Sequence, residues 1–190
     1  MNKSILSVST LLFIAMTSYA HGNARHNAHG HVRHNAHGKM YYGKQTVSSV
    51  DFAGKVTMDG TTVTGDTHIS GQLIANDAHL NTLNIDGSGK LTQSDVKGKS
   101  SIQGSLKPNH ASFGDDLSVT ADNFILTSTQ TKNIIINQSD SRCEKNQSVS
   151  LQQSSEVNGN ITFKCNHGTV YVSKDSKLGG RVIGGNVVSS

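Results

Sequence analysis

One phrase, apolar-x-Gly-x-apolar, recurs along most of this chain and restricts its fold more than any other feature. Phe52-Ala-Gly54-Lys-Val56 states it first, and Ile69-Ser-Gly71-Gln-Leu73, Ile102-Gln-Gly104-Ser-Leu106, Val157-Asn-Gly159-Asn-Ile161 and Leu178-Gly-Gly180-Arg-Val182 repeat it. Ile85-Asp-Gly87 keeps the first half, while Val119-Thr-Ala121 and Ile136-Asn-Gln138 occupy the same slot without the glycine. The phrases start at 52, 69, 85, 102, 119, 136, 157 and 178, in steps of 17, 16, 17, 17, 17, 21 and 21. A near-constant step of this length marks a solenoid, in which each turn buries its apolar side only by stacking on its neighbours.

Within a step, apolar and polar residues alternate, as in Val56-Thr-Met58 and Leu83-Asn-Ile85. That is the period of a strand with one buried face. The Gly, Asp-Gly and Asn-Asp elements between such runs are turn residues that accept positive φ. A coil of about 17 residues therefore divides into three short strands with corners. The expected fold is all-β, a single-stranded parallel β-helix (β-solenoid) of about eight coils, with ~17 and then ~21 residues per coil. Stacked parallel strands lie about 4.8 Å apart, which makes such a body a rod roughly 40 Å long. A β-sandwich also spaces short strands regularly, but nothing in a sandwich requires so constant a phase.

Composition fits a thin core. Hydrophobic residues are 34% of the chain, with no Trp, one Pro and 19 Gly, less apolar mass than an ordinary globular domain carries. The basic pI of about 9.1 does not describe the body. Lys3, Arg25, Arg33, Lys39 and Lys44 are the only charged residues before position 46, and 12 basic and 13 acidic residues remain after it, a net of −1. A nucleic-acid surface needs clustered Lys and Arg on the folded part, and that cluster is missing, so no nucleic-acid partner is expected.

Three segments follow. Residues 1–20 read as a secretory signal: Lys3 gives the positive start, Ile5 to Met16 the apolar run, and Ser18-Tyr19-Ala20 the small residues before a cleavage site. The run is shorter than the roughly 20 residues of a spanning helix, so no transmembrane segment is expected after cleavage. The mature chain is expected to begin at His21, exported by a bacterium to the periplasm or beyond. Residues 21–45 form a tail in which Arg25-His26-Asn27-Ala28-His29-Gly30 returns as Arg33-His34-Asn35-Ala36-His37-Gly38. With almost nothing apolar to bury, this tail is expected to be disordered. Residues 46–190 are the solenoid, with regular coils over 46–135 and longer ones over 136–190.

The tail holds the only concentration of metal-binding side chains. His21, His26, His29, His31, His34 and His37 are six of the chain's ten histidines, and imidazoles favour Zn, Cu and Ni. Without Cys or carboxylate partners they make a loose, exchangeable site rather than a closed one; the plain alternative is a solvated spacer. No cofactor is required elsewhere. Cys143 lies seven residues into the coil that starts at 136, and Cys165 eight into the one that starts at 157. That offset puts them nearly above one another on adjacent coils, at a spacing compatible with a disulfide in an exported chain.

The apolar-x-Gly-x-apolar coils resemble the bactofilin-like, polymer-forming β-helix proteins and the β-solenoid heads of bacterial surface adhesins. Bactofilins are cytoplasmic scaffolds, whereas this chain carries an export signal, so the resemblance implies polymerisation only as one option and supplies no catalytic residues. Asp66, Asp77, Asp86, Asp95, Asp115 and Asp116 stand mostly in turn contexts that favour Asp for backbone reasons. His68, His79, His110 and His167 are scattered, with His79 and His110 at almost equivalent positions two coils apart. No P-loop, dinucleotide fingerprint or nucleophile elbow is present. The expected function is that of an exported, non-enzymatic structural or adhesive solenoid, self-associating through its coil ends or contacting cell surfaces or glycans. The alternatives are metal sequestration by the tail and, as a third reading, a carbohydrate-active β-helix enzyme.

Overall fold

The strand Thr62–Asn76 shows how one coil is made. Val63, Thr67, Ile69, Leu73 and Ala75 point inward and are buried, while Thr64, His68 and Ser70 alternate with them and face out. A lone coil of this kind exposes its apolar side and its backbone edges; stacking removes both. The computed structural model describes residues 38–138 and 143–189, which form an all-β solenoid of about nine turns whose neighbouring strands pair in parallel, one coil on the next.

Each coil has three faces. The first carries Val63, Leu80, Val96, Phe113, Thr131 and Val157 in one inward column. The second carries Ile69, Ile85, Ile102, Val119, Ile136 and Phe163. The third runs from Met40, Val56 and Leu73 to Phe124, Val149, Val170 and Val187. Side chains of like kind thus stack along the axis, about 4.8 Å apart, and the core is the inside of this triangular tube.

The three corners are built differently. Between the third face and the first, one residue takes the left-handed conformation: Gly60, Asp77, Gln93, His110 and Ser128 have φ of 65, 50, 51, 52 and 46°. A small buried residue always follows: Thr61, Ala78, Ser94, Ala111 and Thr129. Where that residue has a hydroxyl, the oxygen serves the backbone: Ser94 Oγ accepts from Ala78 N at 3.1 Å, and Ser155 Oγ accepts from Thr129 N at 3.2 Å. Between the second and third faces, Gly54, Gly71, Gly87 and Gly104 turn the chain at φ of 127 to 141°, and a Cβ on any of them would fall on the carbonyl oxygen of the glycine one coil before. Between the first and second faces the register slips by a residue, as at Val63/Asp66, and this corner produces the single step of 16.

The structure corrects four expectations. The solenoid already includes Gly38–Tyr42, ahead of the expected Thr46, because this strand pairs with Gly54–Met58 and stacks Met40 and Tyr42 on Val56 and Met58. That adds one coil to the expected eight. Second, Val157 does not stack on Ile136. It stacks on Thr131, and Phe163 stacks on Ile136, a step of 27 residues. Third, the later coils are not uniformly ~21 residues: on the third face Leu126 to Leu151 is 25, Val149 to Val170 is 21, and Val170 to Val187 is 17 again. The physical reason is one corner of varying length, between the second and third faces. The second-face strand ends at Asn137 and the third-face strand begins at Gln147; in the next two coils the corner is 164–167 and then Gly184 alone. Fourth, His79 and His110 occupy different slots. His79 sits on the first face opposite Asp95, whereas His110 is the left-handed corner residue.

Candidate functional site

The lengthened corner shapes a groove of about 790 Å³ on the later coils. Its back wall is the start of the third face. There Asn123, Ser148, Thr169 and Asn186 stand in one outward column, each paired in register with the next. The column is a ladder of amides and hydroxyls, and Ser148 Oγ donates to Asn123 Oδ1 at 2.7 Å. Asn146, Asn166 and His167 come from the lengthened corners and form the side wall. Two positions along its strand from Thr169, Tyr171 projects outward with 48% of its surface exposed and closes the other side.

The base of the groove is fixed from beneath. Gln147 is buried, and its Nε2 donates to Asn137 O at 3.0 Å, across its own corner, and to Ala121 O at 3.3 Å, in the coil before, tying two successive turns of the corner. Its Oε1 is buried without a partner among the described residues. Gly168 and Gly185 continue the column over Gln147: a Cβ on Gly168 would fall on the Phe163 ring, and one on Gly185 would meet the Gly168 carbonyl first and then that ring. At the rim, Lys145 Nζ lies 3.1 Å from Asp122 Oδ2, an exposed ion pair. Among the described residues, none that lines the groove is Asp, Glu, Lys or Arg.

The expected disulfide is present: Cys143 and Cys165 are bridged with Cα atoms 5.3 Å apart. Cys143 follows Ile136 and Cys165 follows Phe163, so both lie on the lengthened corner, in successive coils. The bridge clamps the segment that carries Asn146 to the one that carries Asn166 and His167.

The six tail histidines, His21, His26, His29, His31, His34 and His37, lie outside the described residues. The remaining polar candidates are tied up between coils. Asp66 accepts from Thr82 Oγ1 at 2.7 Å, Asp116 accepts from Asn133 Nδ2 at 2.8 Å, and Asp115 lies 3.5 Å from Lys132 Nζ. Asp95 pairs with His79 Nδ1, and Asp77 is itself a left-handed corner. Asp66, Asp95, Asp115 and Asp116 thus each meet a neighbour one coil away, and the register does not stack one candidate carboxylate on another. Of the scattered histidines, only His167 reaches the groove. Among the described residues, no group of three or more His, Cys, Asp or Glu side chains converges as a metal site. The groove itself has no signature in a list of motifs. The pointer that exists in the sequence is the lengthened step, together with the Asn-rich run that accompanies it.

What the fold defines is a class, the parallel β-solenoids, here with an amide- and hydroxyl-lined groove on its later coils. Comparison of the chain with protein-family models, curated proteins and solved structures finds no match.

Proposed function

We propose that this chain is an exported, non-enzymatic adhesive scaffold, a rigid solenoid that holds a polar contact surface in register. The observation that carries the reading is the Asn123–Ser148–Thr169–Asn186 ladder, closed into a groove by a corner that a disulfide clamps. Binding residues on a scaffold that cannot flex lose little entropy on contact. Export is supported by the signal-like residues 1–20 and by the bridge, since disulfides persist in oxidising compartments.

The likeness to bactofilin-type polymers and adhesin heads adds a second element, stacking of copies through coil ends. Leu178, Val182 and Val187 belong to inward columns but stay partly exposed on the last described coil, as do Met40 and Tyr42 on the first. Parallel strand edges of this kind pair with further strands unless they are covered.

The test uses inert beads coated with the full chain and presented to cell surfaces and to mucin. Retention well above that of albumin-coated beads is expected, and retention equal to it overturns the adhesive reading. Sedimentation velocity across concentrations checks the stacking element: a single monomer boundary at high concentration removes it. Expression with cell fractionation is expected to place a product beginning at His21 outside the cytoplasm.

A further inference from the structure

We infer that the groove on the later coils binds a neutral glycan chain laid along the solenoid axis. This rests on the adhesive reading and names its ligand class. Sugar hydroxyls donate and accept at once. Side-chain amides and hydroxyls do the same, whereas carboxylates only accept and ammonium groups only donate. The groove is lined by such two-way groups, with Asn123, Ser148, Thr169 and Asn186 as its spine.

Charge decides against an anionic ligand. Among the described residues no Lys or Arg lines the groove, and the Lys145 ammonium at the rim is already paired with Asp122. Bringing an anion there would strip its water without supplying a counter-charge. Geometry decides for a chain rather than a small enclosed molecule. The ladder repeats at about 4.8 Å over four coils, so roughly 14 Å of ligand meets the same chemistry rung by rung. Tyr171 adds an exposed ring beside the ladder, an apolar face with a polar tip, suited to the C–H face of a pyranose.

A peptide fits less well. The usual extended mode adds a strand to a free sheet edge, but the backbone under this groove is already paired on both sides, Ser148 with Asn123 and Thr169, and Thr169 with Asn186. No apolar pocket opens in the floor, where Gly168 and Gly185 are packed against Phe163. The disulfide and the buried Gln147 amide hold the walls before any ligand arrives, which lowers the ordering cost of binding.

The experiment is a glycan array probed with the full chain, followed by calorimetric titration of the best neutral oligosaccharide into the full chain and two variants. Tyr171→Ala and Asn186→Ala change exposed side chains, so unchanged circular dichroism is expected for both. Each is expected to weaken the neutral ligand at least tenfold, while Asn84→Ala on the second face leaves it unchanged. Three outcomes overturn the inference: hits confined to sialylated or sulfated glycans, neutral binding that survives both groove variants, or an array without hits. Bead adhesion that protease treatment of the target surface abolishes and glycosidases do not also overturns it, in favour of a protein partner, and leaves the adhesive reading standing. Failure of the beads on every surface sinks the adhesive reading itself, independently of the array.

Discussion

Gly87 and Gly89 are two residues apart and predict opposite outcomes when changed to alanine. At Gly87, φ is +141°, a backbone conformation that L side chains rarely adopt, and holding a non-glycine residue there costs about 1–3 kcal/mol. The new Cβ would also fall well inside 3.0 Å of the Gly71 carbonyl oxygen, which belongs to the rung below and cannot rotate away. Overpacking against a fixed group adds roughly 1–3 kcal/mol, for a total of about 2–6 kcal/mol. Gly89 has no such φ, and a Cβ there meets only the far ends of flexible side chains, Ile85 Cδ1 at 2.7 Å and Leu106 Cδ1 at 3.0 Å. Small rotamer adjustments relieve that, and the loss of unfolded-state freedom contributes about 0.4–1 kcal/mol in the opposite direction. Gly89→Ala is expected to stay within about 1 kcal/mol of the parent. In urea unfolding followed by circular dichroism, Gly87→Ala is expected to lower the midpoint by about 1–2 M, and Gly89→Ala by much less. Equal midpoints for the two variants would refute the close-stacked glycine column. Amide exchange adds a spatial check. Each coil pairs only with its neighbours, so lost protection is expected to centre on the corners at Gly71, Gly87 and Gly104.

Three further outcomes follow from the same geometry. Replacing Cys143 and Cys165 by Ser opens a loop of 22 residues and is expected to cost about 3 kcal/mol. The parent should gain the mass of two hydrogens on reduction, and a parent mass indifferent to reductant would remove the bridge. Ser155→Ala leaves the Thr129 N–H without its acceptor at a buried corner, with an expected loss of about 1–3 kcal/mol of unfolding free energy; an unchanged denaturation midpoint would contradict this corner hydrogen bond. Burial raises the Tyr42 phenol above its ordinary value near 10, so its contribution to stability is complete below that value. It is lost as pH rises from about 10 through the folded-state value, because only the unfolded chain ionises freely. Denaturation midpoints across that range should fall for the parent and fall less for Tyr42→Phe, and parallel curves would count against the half-buried phenol.

Of the candidate site, the chain showed the disulfide and the lengthened corner, but not the residues that line the groove. The Cys143–Cys165 pairing was legible even though the phase behind it was not. Each cysteine follows an inward residue of the second face, Ile136 or Phe163, and so enters the same corner of successive coils. The longer step announced that a corner grows. What the chain could not announce was that Asn123, Ser148, Thr169 and Asn186 share a column, because their separations of 25, 21 and 17 obey no single period. Only hydrogen-bonded register sums those unequal corners into one straight ladder. Charged residues behave alike: Asp66 and Thr82, or Asp116 and Asn133, meet because coils stack, not because the sequence marks them as pairs.

The sequence by itself determined the parallel solenoid, its inward columns over the regular coils and the corner residues between them. Those features are local, and each coil of 16 or 17 residues repeats the same compromise between alternation and turning. It misled at two phrases. Val157-Asn-Gly159-Asn-Ile161 and Leu178-Gly-Gly180-Arg-Val182 read like Phe52-Ala-Gly54-Lys-Val56, yet they turn a different corner, between the first and second faces. Both corners exclude a Cβ for the same reason, a carbonyl oxygen of the coil before: Lys132 O, at 2.6 Å, faces the Cβ position of Gly159, and Gly38 O faces that of Gly54. A requirement shared by two corners writes the same letters at both, and only the stacking of Val157 on Thr131 tells them apart. The tertiary structure therefore decided the phase of the later coils, and with it the groove.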